Sequence, residues 1–337
     1  MRSAQFRSLF DVAIVDKPTP SPARNEALVR VGVNAVCASD ARYIEDGNPN
    51  PGHEAVGIVE ALGEDVTNVR VGDRVVVLAC IGCGRCRYCL TGYTVHCPDE
   101  FLSLWDGYSE FVCVRSDACL PLPDSISILD GSLIADTLGP AFTGVKAGEV
   151  QDKSVAVWGC GPVGQMAVQL CKAFGAKEIV ALDPIDFRRQ KAEEFGADIV
   201  MDPTACSPIE DLHRLGYPMG VDVGICATFA GNVPDRALLS TRLEGRFISV
   251  MGVARLNEDE LRHRFSYGVH YFRRDHYDEM VKLVAEGRVN LKSVTTHTYP
   301  LEDIADAFRM RFSQQGQSLK VGVLTGAISE SDTVSVF

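Results

Sequence analysis

The chain has 337 residues with 46% hydrophobic and 23% charged side chains, the composition of a globular protein long enough for two domains of roughly 150 residues. Its net charge of −12 gives no support for binding nucleic acid or an anionic membrane surface. No stretch approaches the ~20 apolar residues of a membrane span, and the opening MRSAQFRSLFDVAIVDKPTP has no continuous apolar core. Neither an anchor nor a secretory signal is expected, and the expected location is the cytoplasm.

Residues 1–125 are expected to be rich in strands. ALVRVGVNAVC, AVGIVEALG, DRVVVLAC and SEFVCV are short β-branched runs punctuated by Gly, Pro and Asp turns. After about residue 140 strand and helix alternate. SVAVWG, EIVALD, ADIVM, VDVGIC and GRFISVMG have the character of buried strands, and VGQMAVQLCKAFG, DFRRQKAEEFG and VPDRALLSTRL that of helices. That alternation predicts an α/β fold with a doubly wound parallel sheet. Further on, HYDEMVKLVAEG and LEDIADAFRMRF predict helices and LKVGVL a strand. This last part is too little to fold alone and is expected to return to the first domain. The expected domains are therefore 1–140 with 271–337, and 141–270. The tail ISESDTVSVF has no helical period.

Twelve cysteines would suggest disulfides in a secreted chain. Four of them, Cys83, Cys86, Cys89 and Cys97, stand instead as C-x2-C-x2-C-x7-C. That spacing wraps one loop around a tetrahedral metal, usually zinc, and a closed four-sulfur shell is structural. It defines a zinc lobe over residues 80–98 and points to a reducing compartment. Cys80 is a rival ligand that fits the spacing less well. Cys113, Cys119, Cys160, Cys171, Cys206 and Cys226 are expected to be small buried hydrophobes.

SVAVWGCGPVGQMAVQL contains G-x-G-x-x-G at Gly159, Gly161 and Gly164, with Pro162 and Val163 opening the helix. The motif follows a strand and precedes a helix, the context that dinucleotide binding requires. Its glycines allow a tight turn, close approach of a pyrophosphate, and close helix–strand packing, with the phosphates at the helix N-terminus. Asp183 ends the next strand, where a carboxylate accepts ribose hydroxyls and repels a 2′-phosphate. NAD(H) is therefore expected in preference to NADP(H). Arg188 either reaches a 2′-phosphate or partly neutralises Asp183.

With Cys37-x-Ser39-Asp40, Gly52-His53-Glu54-x-x-Gly57, Gly72 to Val75, the four-cysteine lobe, the glycine turn and the closing THTYPLEDIADAF and LKVGVL, the chain resembles the zinc-dependent medium-chain alcohol dehydrogenases over nearly its whole length. The resemblance implies a GroES-like β-barrel catalytic domain and a Rossmann domain. It also implies a second zinc, with three protein ligands and an open position. Cys37 and His53 match two of those ligands. Many relatives place a cysteine third; this chain has Asp136 near that spot, and Glu54 is the rival. Ser39 matches the Ser/Thr that accepts the alcohol proton. The family's proton-passing histidine is replaced by Arg42, and the Cys37-to-His53 loop is short for a polyol dehydrogenase.

The implied activity is hydride transfer between a nicotinamide and an alcohol, first a secondary alcohol or polyol, with its carbonyl as product. Alternatives are an aldehyde-handling or biosynthetic reductase, or a non-catalytic nucleotide-binding relative. The resemblance implies a homodimer or homotetramer acting on a small molecule. Lys320 either reaches cofactor phosphates or snorkels from its strand. Arg262, His263, Arg264, His270, Arg273, Arg274 and His276 crowd one segment, expected to be a solvated helix face at a subunit contact or a site for an anionic substrate.

Overall fold

The computed structural model describes residues 1–99, 101–205, 208–251, 263–269 and 271–326; Cys206, Arg262, His270 and the tail lie outside them. The chain forms two compact units, Met1–Asp136 with the segment from Leu291 onward, and Thr137–Asn290.

The first unit is built on strand Glu26–Ala35, whose sequence EALVRVGVNA is buried along nearly its whole length. A strand buried on both faces needs cover on both faces. It pairs antiparallel with Ala55–Leu62, Phe111–Arg115 and Lys320–Leu324 in a seven-stranded sheet. Lys320–Leu324 also pairs parallel with Thr295–Pro300, so the C-terminal segment returns to complete this sheet. The helix Ile304–Ser313 turns Ile304, Ala307 and Phe308 into an apolar cluster with Ala4, Phe6 and Tyr108.

The second unit carries a six-stranded parallel sheet, as the alternation predicts. Its strand order is Ile199–Met201, Glu178–Leu182, Ser154–Trp158, Val221–Ala227, Thr241–Met251, Phe265–Gly268. The order reverses beside Ser154–Trp158, and the carboxyl end of a strand at such a switch point is where ligands bind open α/β sheets. The glycine turn leaves from that strand end.

Three differences from the sequence expectation have local causes. Helix Tyr277–Ala285 packs with the second unit, where Glu279 meets Lys146 of helix Gly139–Gly148 at 3.1 Å. The second boundary therefore falls at Asn290/Leu291 rather than near 270. Helix Val233–Leu239 is shorter than VPDRALLSTRL, because the Ser240 and Thr241 hydroxyls bond back to the Ala237 carbonyl at 2.7 and 2.9 Å and the chain turns into strand Thr241–Met251. The Arg/His-rich segment, expected as a helix face, includes the strand Phe265–Gly268, outermost in its sheet among the described residues, and a short 3₁₀ turn at Arg274–His276.

Candidate metal and nucleotide sites

The ligand atoms of Cys83, Cys86, Cys89 and Cys97 lie within 4.8 Å of one another. Cys86 Sγ is 3.5 Å from Cys89 Sγ and 3.8 Å from Cys97 Sγ, and Cys83 Sγ is 4.0 Å from Cys89 Sγ. Sulfurs bound to one tetrahedral zinc at about 2.3 Å stand roughly 3.8 Å apart. The Cys83 and Cys86 backbone N–H groups donate to Cys97 and Cys83 sulfurs, both at 3.3 Å. Gly82 makes the wrap feasible, since a Cβ there would stand 2.5 Å from Cys89 Sγ. Burial, then the neighbouring cysteines, push the Cys89 thiol up to about 12. Cys80 is not part of the cluster.

A second cage brings together Cys37, His53, Glu54 and Asp136, again with ligand atoms within 4.8 Å. Cys37 Sγ is 3.3 Å from Asp136 Oδ2, and His53 Nε2 is 3.8 Å from the same oxygen. Cys37 follows the central strand, His53 precedes Ala55–Leu62, and Asp136 sits in a π-helical turn, Ile134–Leu138. Such turns break the α period and are frequent at functional sites. Ser39 Oγ lies 3.2 Å from Cys37 Sγ and 3.4 Å from His53 Nε2.

Buried residues hold this cage. His53 Nδ1 donates to the Pro51 carbonyl at 2.8 Å, and Asp40 Oδ1 is 3.2 Å from it. That places the proton on Nδ1 and leaves Nε2 to face Cys37 and Asp136. Asp40 Oδ2 accepts the Cys37 N–H at 2.9 Å and the Tyr108 hydroxyl at 2.6 Å. Lys320 is buried and donates to Glu54 Oε1 at 2.5 Å, so it neither snorkels nor faces a phosphate site. Glu54 Oε2 is buried and without a hydrogen-bond partner. Tyr43 stands edge-on to His53 at 5.7 Å and Trp105 at 6.3 Å, forming an aromatic wall. Arg42 is 81% exposed and pairs with Asp46 at 3.6 Å, turned to solvent.

Burial and the Asp136 carboxylate raise the Cys37 thiol. Burial pushes Glu54 up to about 8 even beside Lys320. Burial would lower the His53 ring, but its contacts with Asp40 and Cys37 outweigh that and hold it well above its usual range. Burial opposes Asp136 ionisation, yet His53 and Glu54 keep its carboxyl below the usual value. One thiolate, one imidazole nitrogen and one carboxylate form a donor set that suits zinc.

In the glycine turn, Gly159 has φ +89°, which strains any other residue. A Cβ on Gly164 would stand 1.9 Å from the Gly159 carbonyl oxygen, while one on Gly161 would meet nothing within 4 Å. The first fixes close helix–strand packing; the second leaves open space in front of the helix N-terminus. Asp183 is buried and accepts the Cys160 and Ile185 N–H groups at 2.8 and 2.9 Å. Arg188 Nη1 lies 3.8 Å from the same carboxylate, and Gln165 ties the Cys160 and Arg188 carbonyls together at 2.9 and 2.8 Å. The turn, Asp183 and Arg188 are thus one assembly.

Asp40, Tyr108, Lys320 as the partner of Glu54, Tyr43 and Trp105 are the members that sequence reasoning missed. Only Asp40, inside the Cys37-to-Asp40 run, carried a sequence signal.

Residues 23–124 match the alcohol dehydrogenase GroES-like domain family, and residues 162–286 match the zinc-binding dehydrogenase family. A sorbitol dehydrogenase of Bacillus subtilis (strain 168) is 31% identical over 96% of this chain and 97% of its own. A zinc-type alcohol dehydrogenase-like protein of Escherichia coli K12 is 28% identical over 95% of this chain and 96% of its own. The solved alcohol dehydrogenase TADH from Thermus sp. ATN1 superposes with a TM-score of 0.86 at 26% identity, covering 96% of this chain and 99% of that one. With the four-sulfur cluster, the sulfur–nitrogen–oxygen cage and the glycine turn, these likenesses place the chain in the zinc-dependent medium-chain alcohol dehydrogenase family. It is an oxidoreductase acting on CH–OH groups, with a GroES-like β domain, a Rossmann domain and a nicotinamide cofactor.

Proposed function

We propose that Cys37, His53 and Asp136 hold a catalytic zinc, that Cys83, Cys86, Cys89 and Cys97 hold a structural one, and that the enzyme oxidises a secondary alcohol or polyol with NAD. The observation that carries the catalytic assignment is the placement of donors in the cage. Cys37 Sγ and Asp136 Oδ2 stand 3.3 Å apart with His53 Nε2 beside them, whereas Glu54 Oε1 is held by the buried Lys320. That arrangement favours Asp136 over Glu54 as third ligand, and a carboxylate oxygen is an ordinary zinc donor.

With both groups bound, the enzyme would have a Lewis acid to make a substrate hydroxyl acidic and a nicotinamide to take up hydride. The residues do the rest. Asp40 and the Pro51 carbonyl orient His53. Ser39 Oγ, beside Cys37 and His53, receives the substrate's hydroxyl proton. Arg42 is exposed and always charged, so it cannot take the proton on from Ser39, and release runs to water. Tyr43 and Trp105 exclude water from one side of the cage.

Asp183 supports NAD over NADP, because a carboxylate within hydrogen-bonding distance of the Cys160 amide disfavours an added phosphate, and Arg188 is drawn toward that carboxylate. The polyol assignment is supported by likeness to a sorbitol dehydrogenase. Exposed Phe265, on the strand that is outermost in the parallel sheet among the described residues, supports assembly into a homodimer or homotetramer, since exposed apolar side chains at a sheet margin invite partners. The four thiols of the lobe must stay reduced to bind metal, which supports a cytoplasmic location.

Zinc content and turnover of an alcohol panel test this. Wild type should hold two zincs, and Cys37→Ala and Asp136→Asn one each. Replacing groups around a metal ligand costs 10–100-fold, so losing the ligand Asp136 should cut kcat/KM by at least about 100-fold. Full zinc content in both variants would overturn the ligand assignment. Equal turnover with NAD and NADP would overturn the cofactor preference.

A further inference from the structure

Behind the cage stands a residue that the chemistry above does not use. Tyr108 is fully buried, with its ring 6.1 Å from Phe6 and 5.6 Å from Phe308. A phenylalanine would fill that apolar cluster equally well, so packing alone does not call for the hydroxyl. The hydroxyl donates to Asp40 Oδ2 at 2.6 Å and lies 3.4 Å from the Ala35 carbonyl. Its single proton therefore goes to the carboxylate, the shorter and charge-assisted partner.

Asp40 is itself fully buried, and its contacts converge on the metal ligands. Oδ2 also accepts the Cys37 N–H at 2.9 Å, and Oδ1 stands 3.2 Å from His53 Nδ1. The route is kept open by Gly52, next to His53, where a Cβ would lie 2.5 Å from the Tyr108 backbone nitrogen and 2.9 Å from its ring.

We propose that Tyr108 is a positioning residue of this metal centre: its hydroxyl fixes the rotation of the Asp40 carboxylate, and through it the Cys37 backbone and the His53 ring. The inference rests on Cys37, His53 and Asp136 being metal ligands. Without the hydroxyl, Asp40 keeps the Cys37 amide but loses its second anchor on Oδ2. The carboxylate then turns about its own bond, and the His53 ring, hydrogen-bonded to the Pro51 carbonyl, loses the fixed Asp40 charge beside its Nδ1.

The test is zinc release from the fully loaded protein into excess chelator. Two phases are expected, and the one missing in Cys37→Ala belongs to this centre. Tyr108→Phe should speed that phase about tenfold, the lower end for outer partners of metal ligands, and leave the four-cysteine phase unchanged. In cobalt-substituted protein it should also shift the visible bands of the Cys37-dependent site. Phe308→Leu loosens the same cluster without touching Asp40; it should lower the melting temperature and leave release unchanged. Wild-type release from Tyr108→Phe, or equal acceleration by Phe308→Leu, would overturn the proposal. Absence of any Cys37-dependent phase in the wild type would instead overturn the metal-centre assignment beneath it.

Discussion

Among single residues, Lys320 shows how far burial changes a side chain's task. On a surface strand it would be a solvated cation; here it lies among Glu54, Cys37 and Asp136, and although burial opposes its charge, those acids hold its pKa up. Removing one partner of a buried ion pair leaves the other uncompensated, at a cost of about 3–5 kcal/mol. Lys320→Met should therefore lower unfolding free energy by about 3 kcal/mol in denaturant titration of the zinc-loaded protein, and Lys320→Met with Glu54→Gln should recover most of it. Asp183 offers a second residue-level prediction. Hydrogen bonds to a charged group contribute about 2 kcal/mol, equivalent to roughly 30-fold in a binding or rate ratio. Asp183→Ala should reduce kcat/KM with NAD by about that factor and with NADP by much less; equal losses would mean that Asp183 only braces the turn through Cys160 and Ile185.

At the scale of elements, the two metal-binding candidates differ in how they are built. The four-cysteine lobe lies on one short stretch of chain, with the tiny helix Arg87–Leu90 and the 3₁₀ turn Thr94–His96 inside it. These pieces bury almost nothing and have little to hold them without a shared ion. Cys89→Ala should accordingly act on stability: the melting temperature should drop and one zinc should be lost, while NAD binding to the separate Rossmann unit persists. A variant with full stability would show that the lobe folds without its metal. The second cage is assembled from a strand end, a loop and a π-helical turn far apart in sequence. Those elements are held by the sheet, so the cage should keep its shape better than the lobe when metal is withdrawn.

For the whole molecule, that difference gives a stepwise response to metal removal. A ligand present at 1,000 times its dissociation constant stabilises the native state by about 4 kcal/mol. At roughly 2–4 °C per kcal/mol, chelation should lower the transition of the first unit by about 10 °C and leave that of the second unit near its original temperature. Calorimetry with and without chelator measures this. A single transition that shifts as one would mean that the two units unfold together.

Much of this was legible in the sequence where chemistry is local. The spacing of Cys83 to Cys97 and the run from Gly159 to Gly164 carry their geometry in a few consecutive residues, because a short loop around a metal and a strand–turn–helix have little freedom. The alternation of period likewise determined the parallel sheet. Tertiary structure decided what depends on distant segments meeting. Sequence alone left Asp136 and Glu54 as rivals, and only the fold shows that a C-terminal strand brings Lys320 to Glu54. Tyr108 gave no signal, because an aromatic in a β-rich run has an ordinary core role until its hydroxyl is found on Asp40. Helix Tyr277–Ala285 has an apolar face in either domain, and only packing against Gly139–Gly148 assigns it. Sequence specifies which faces are apolar and which loops are stiff; the partner of each buried charge is settled when the sheet closes.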